Sequence, residues 1–298
     1  MINSVPNHLV VGARTGFLTA LEASPKQDWM KVAEKFSMTA KSQTLVDLGA
    51  APMPTKNVGR TQVQAFIEKT KDIKPEPWDI TVGISYDDVQ DDQTGNLERR
   101  VKSAGDNFQK HINKHVFEVL NAGDGATYGT CYDGSDFFDN DHADKGAAYS
   151  TSQDNEGALA LSLDNFETTR VAAMGFRDDQ GEFTDYGYNL IVVPPALEYT
   201  AAQICGNPQA YDIANREINP YAGSTNFIVS PYLDSTAWFL IAANESVKPL
   251  ILAMREEPNL QSSWFDPNAG KGGMYYFKFY ARYEVHYGDW RLAYMGNS

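Results

Sequence analysis

Two stretches of the chain hold residue types that do chemistry at suggestive spacings. His111 and His115 lie four positions apart, which on a helix puts both imidazoles on one face, as metal ligation would need. The zinc-protease pattern places a glutamate directly after the first histidine; here Ile112 stands there, and no third ligand is near in sequence. Packing histidines on a partly exposed face are the plainer expectation. The second stretch is CYDGSDFFDNDHAD (131–144), with Asp133, Asp136, Asp139, Asp141 and Asp144 beside His142. Clustered carboxylates suit hard cations, but the calcium-loop order Asp-x-Asp/Asn-x-Asp/Asn-Gly is absent. A solvated acidic loop is the expectation. A weak cation site, or a metal-dependent hydrolase built on residues 131–144, are the alternatives, although sequence sets no carboxylate separation. Cys131 and Cys205 sit in no nucleophile motif, are too few for a disulfide framework, and read as reduced thiols. Neither a G-x-S-x-G elbow nor a phosphate-cradling glycine loop occurs. The expectation is no catalytic, cofactor-binding or metal site, and no enzyme.

Charge narrows the partners. The chain carries 39 acidic against 25 basic side chains, net −14. Residues 1–122 are neutral overall, residues 123–200 carry −12, and residues 201–298 carry −2. Gripping phosphates needs the opposite bias, because lysine and arginine must displace counterions. Dedicated nucleic-acid binding is disfavoured, whereas an acidic wall standing beside DNA is compatible with the counts. No apolar run approaches the length that spans a bilayer. The N-terminus lacks the basic start and apolar core of a secretory signal, so none is expected, and the two cysteines read as reduced thiols of a cytoplasmic product. A hydrophobic content of 42% with 12% aromatics predicts a folded chain, as one large domain or two interleaved ones.

The positioning elements follow from periodicity. Leu97, Val101, Ala104, Phe108, Ile112, Val116 and Val119 recur at three- and four-residue steps and predict a helix over about 95–122. Ahead of it, Ile80, Val82 and Ile84 alternate with polar or small residues as in a half-buried strand. Gln62–Ile67 and that strand flank a polar link from Glu68 to Pro77 and predict a long hairpin, which alone would be marginal in water. Residues 1–49 hold a loosely helical Thr19–Phe36 stretch and no core of their own, as in an arm; an ordinary N-terminal helix fits equally. After the glycine- and aspartate-rich stretch 123–160, Asp164 and Glu167 show capping-box spacing, followed by Phe166, Val171, Met174 and Phe176 as apolar contacts. Leu190–Val193 predicts a strand buried on both faces and stopped by Pro194–Pro195. Short strands are expected at Phe227–Val229, Ala237–Ile241 and Leu250–Leu252. The aromatic tail 275–294 reads as a terminal hairpin or strand pair. Strands and helices without regular alternation predict α+β.

Several of these segments, in this order, carry a family resemblance: ISYDDVQDDQTG (84–95), YDGSDFFDNDH (132–142), LIVVPPALE (190–198), SPYLDSTAWFLIA (230–242) and the aromatic tail. From about residue 50 onward the chain resembles the major head subunit of Mu-like tailed phages, a coat protein of the HK97 type. The resemblance implies an HK97-like capsid fold. It would have an N-arm (1–49), an extended loop (50–86), a P-domain (87–185 and 271–298) with a spine helix at about 95–122, and an A-domain (186–270). It implies a structural subunit that self-assembles as hexamers and pentamers into the icosahedral head shell of a tailed bacteriophage. Portal and scaffold proteins, a possible decoration protein and packaged double-stranded DNA are its implied partners. The implied location is the virion, after assembly in the host cytoplasm. A nanocompartment or gene-transfer-particle shell is the alternative within the fold. Some coats of this type crosslink a loop lysine; Lys56, Lys69, Lys71 and Lys74 are present, but no matching acidic and asparagine pair is recognisable, so no crosslink is expected. No long charged N-terminal helical extension stands in the sequence, which implies a separate scaffold or prior removal of such a segment.

Overall fold

The computed structural model describes residues 5–24, 27–47, 69–91, 96–143, 151–206, 219–270 and 272–297. Helix α1 spans Asn7–Ala23, a short α2 spans Tyr86–Gln90 with the Ser85 hydroxyl as its cap, and α3 runs for 26 residues, Asn96–Asn121. In α3 the predicted stripe is buried from Val101 through Phe108 and Ile112 to Val119. Its outward side carries exposed i,i+4 ion pairs, Glu98 with Lys102 and Lys114 with Glu118. Such solvent-exposed pairs add little to stability.

The N-terminal segment departs from the expected arm. Helix α1 lies along α3 with Ala13, Phe17 and Ala20 buried, ends at Ala23, and is followed by strand β1 at Ala33–Ser37. Small residues set this contact. A Cβ on Gly105 would stand 2.6 Å from the Phe17 carbonyl oxygen, so only glycine lets the two backbones meet there. A hydrophobic pattern does not register glycine, which is why the packing was not legible.

Beneath α1 and α3 lies a four-stranded sheet in the order β1-β9-β10-β4, with β9 at Leu250–Asp266, β10 at Met274–Tyr287 and β4 at Glu76–Ser85. Every second residue of β10 from Tyr275 to Tyr287 is buried, as the aromatic alternation predicts. The Phe17 ring stacks on Phe279 at 4.1 Å and meets Phe108 edge-on at 5.8 Å, joining helix, helix and sheet. Strand β4 has the predicted alternation, with Ile84 buried and Asp79 and Thr81 exposed, but its partner is β10. The expected link across residues 68–77 is therefore corrected. Pairing occurs between β2 (Gln43–Asp47) and β3 (Lys69–Ile73), the latter within the stretch expected to be a link, while Gln62–Ile67 lies outside the described residues. Strand β3 is nearly all polar; its Ile73 is buried in a small cluster with Met38 and Ala253.

Strand β9 is far longer than the Leu250–Leu252 expectation. Its register against β10 slips at three places, and Pro258, which has no N–H to donate, falls between the paired residues Glu256 and Asn259. Bulges absorb the proline, so the polar run after Met254 continues as strand.

A second sheet has the order β5-β11-β8-β6-β7, with β5 at Glu156–Gly157, β6 at Leu190–Val193, β7 at Asn226–Val229, β8 at Trp238–Ile241 and β11 at Ala293–Gly296. Strands β6 and β8 are buried at every residue, as their continuous apolar runs predict. The tail is not a hairpin: a 3-10 turn at Trp290–Leu292 carries the chain from β10 in one sheet to β11 in the other. Sheet membership also crosses the expected division at 186–270, since β9 lies in the four-stranded sheet and β11 in the five-stranded one.

Helices α4 (Leu163–Met174) and α5 (Glu198–Gly206) complete the described elements. The α4 cap is Ser162, whose hydroxyl accepts from the Asn165 N–H at 3.2 Å, in place of the expected Asp164–Glu167 box. Phe166, Thr169 and Ala173 form its buried side. Val171 and Met174, expected as apolar contacts, are thereby turned outward, 67% and 52% exposed.

Candidate functional site

The acidic stretch is packed, not solvated. Phe137 and Phe138, set between the aspartates, are fully buried, and their burial pulls the flanking polar groups inward. The Ser135 N–H donates to Asp133 Oδ1 at 3.2 Å, while Gly134 takes a φ of +93° that closes the turn. The other Asp133 oxygen lies 2.6 Å from His142 Nδ1, with both side chains almost wholly withdrawn from solvent. The imidazole stacks flat on Trp290, 4.1 Å between centroids. Burial alone would raise the Asp133 carboxyl; the hydrogen bond and charge of His142, with the Ser135 N–H, outweigh it and hold the group below the usual range. Asp139 accepts from the Asp141 N–H at 3.2 Å, and Asp141 is exposed. Asp144 lies outside the described residues. Among the described residues no group of three His, Cys, Asp or Glu side chains is placed to hold a metal.

Two residues that spacing did not single out tie this stretch down. Asn155, fully buried, donates to the carbonyls of Phe137, Trp290 and Ala293 and accepts from the Asp139 N–H at 3.0 Å. Arg291 donates through Nε to the Arg177 carbonyl at 2.8 Å and through a terminal nitrogen to Tyr132 and Asp289. Together they join residues 131–139, the end of α4 and the C-terminal strands. Arg291 stands out only as a charge between Trp290 and Leu292, and Asn155, in a polar run, has no sequence signal at all. Asn155→Ala should leave the Asp139 N–H and at least one carbonyl unpaired, at about 1–3 kcal/mol for each buried group. A melt of the unassembled subunit should fall well below that of Asn140→Ala, where the side chain is exposed.

The histidine pair on α3 also takes protein partners. His111 Nδ1 lies 2.6 Å from the Tyr283 hydroxyl and His115 Nε2 lies 2.7 Å from Glu284 Oε1, with Trp78 against both rings. Burial, then the neighbouring His115 and Lys114 charges, lowers His111. Burial also pushes the Cys131 thiol well up and Cys205 to about 11, so both stay protonated and unreactive near neutrality. These arrangements fasten segments together. A nucleophile, its base and an oxyanion site do not converge in them.

What such a structural chain is follows from its relatives. The family model described as "Mu-like prophage major head subunit gpT" matches residues 7–160, 156–233 and 234–298. The chain belongs to this family of head subunits. With the major capsid protein of Escherichia phage Mu it shares 31% identity over 134 residues, 45% of this chain and 43% of that protein. The shared stretch thus spans less than half of that relative. The procapsid of bacteriophage JBD30 matches 99% of this chain and 76% of its own, with a TM-score of 0.60 at 21% identity. A virus-like particle from Pyrococcus furiosus matches 96% and 97%, with a TM-score of 0.54 at 10% identity. The fold of the head subunit is the HK97-type capsid fold.

Proposed function

We propose that this chain is the main building block of the icosahedral head shell of a tailed phage or prophage, a structural protein and not an enzyme. The family match along nearly the whole chain carries this reading. It also favours a phage head over the nanocompartment and gene-transfer-particle alternatives, because the matching family is one of prophage head subunits. Head-to-tail contacts that close into rings would give hexamers and pentamers from one sequence. In this reading the β2–β3 hairpin corresponds to the extended loop. The α3 helix with the four-stranded sheet corresponds to the spine and P-domain, and the five-stranded sheet to the A-domain. Helix α1, packed on α3, is counted with the P-domain and not with a free arm. Double-stranded DNA would fill the shell without sequence-specific contacts, in keeping with the net charge of −14. Portal, scaffold and decoration proteins are the further partners, the virion is the destination, and the host cytoplasm is the place of assembly. Negative-stain micrographs of the purified protein should show closed, uniform particles. A chain that stays monomeric at high concentration with and without scaffold would overturn the reading.

A further inference from the structure

The outward side of α4 is the least expected surface of the subunit. Glu167, Val171 and Met174 follow one another at i, i+4 and i+7 on its solvent face. The turn after the helix adds Phe183, 55% exposed, with the Arg177 guanidinium 3.9 Å over its ring. Between residues 163 and 185 the carboxylates Asp164, Glu167, Glu182 and Asp185 are exposed while Arg170 and Arg177 are half-buried, so this surface carries an acidic excess. Exposed apolar side chains grouped in this way mark contact surfaces.

The same chain offers the complementary surface. The outer side of α1 and the first turns of α3 carry Arg14, Arg99, Arg100 and Lys102, all exposed, with Val11 56% exposed on α1. Lys102 and Arg100 are engaged with Glu98 and Asp88, at 2.6 and 3.8 Å. Arg14 and Arg99 make no ion pair among the described residues. One surface therefore carries exposed apolar side chains with an acidic excess, the other Val11 beside Arg14 and Arg99, and they sit on different elements of one molecule. Two unlike patches that fit each other build head-to-tail rings, whereas a two-fold dimer needs one self-complementary patch.

We infer that the α4 strip of one subunit docks on the α1–α3 basic surface of the next copy in the shell. The inference rests on the shell reading above and adds which faces meet. Arginines at the rim select the acidic neighbour and disfavour a copy turned the wrong way round, since like charges in contact are strongly penalised.

Charge reversal tests this. Arg14→Glu with Arg99→Glu in one variant, and Glu167→Lys with Glu182→Lys in another, alter exposed side chains and should leave the melt of the unassembled subunit unchanged. Each variant alone should lower particle yield by about tenfold or more, and all four changes in one chain should restore it, because every contact then carries swapped charges. Should either reversed variant melt early, Arg99→Ser and Glu167→Gln carry the test, each with a smaller loss of yield. Wild-type yield from either reversed variant would show that its face is not a subunit contact. Loss in both without rescue in the combined chain would show that the faces meet other partners, a scaffold among them, and would overturn the pairing. A wild-type chain that forms no particles at all would instead overturn the shell reading, and this inference with it.

Discussion

Phe17→Ala is expected to destabilise the unassembled subunit by about 3–5 kcal/mol, the usual cost of deleting a fully buried aromatic ring. Phe17 is wholly withdrawn from solvent and lies where α1, α3 and β10 meet. The cavity cannot readily collapse, because the Gly105 contact already holds the two helix backbones at their closest approach. Chemical denaturation of the subunit, with exposed Arg14→Ala as the control, measures it. The control should lie within a few tenths of a kcal/mol of wild type. A Phe17→Ala subunit as stable as wild type would mean that α1 is a detachable arm after all.

Acid should weaken the subunit well before its carboxylates titrate. Burial first, then the Lys71 charge, hold His286 down to about 4; Glu284 opposes this and His115 adds to it. Unfolded histidine titrates near 6.5, so the folded state resists a proton that the unfolded chain accepts. Stability from this group is complete above about pH 6.5 and drains away as pH falls towards 4. At about 1.4 kcal/mol per unit of pH the loss amounts to roughly 3 kcal/mol. His111, also lowered, acts in the same direction. The Asp133 carboxyl follows later: held below its unfolded value, it contributes fully above about pH 4 and is lost as pH falls through the folded value. Denaturation midpoints measured from pH 7 to pH 4 should fall steadily in wild type and much less in His286→Gln. Equal slopes would assign the acid response to other groups. The site is also placed to matter for the hairpin, because Lys71 on β3 donates to the Thr130 carbonyl at 2.6 Å and lies 5.5 Å over the Tyr287 ring.

Legibility in the sequence tracked how completely apolar periodicity determines an element. The α3 stripe, the β6 and β8 runs and the β10 alternation were readable because burial is set there by side-chain type alone. Strand β9 beyond Met254 was not, since its residues are polar and its proline is accommodated by bulges that only the β10 register reveals. For helix α1 the sequence leaves an arm and an ordinary N-terminal helix equally open, because its fit depends on Gly105, which adds nothing to a hydrophobic count. At the acidic stretch the aspartates drew attention, yet Phe137, Phe138 and Asn155 decide its structure. A carboxylate count cannot tell a solvated loop from one folded around two aromatic rings.

The strand pairings also bear on the order in which the chain can fold during synthesis. Strand β1 pairs in parallel with β9, more than 200 residues later, and β5 pairs with β11. Neither sheet can close until segments near the C-terminal end have left the ribosome, and such distant pairings close slowly. A nascent chain would carry α1, α3 and β4 with their apolar sides uncovered for most of translation, a state prone to aggregation. A chaperone acting before Leu250 emerges should thus raise the yield of soluble subunit more than any aid supplied after release, and slower elongation should lower it.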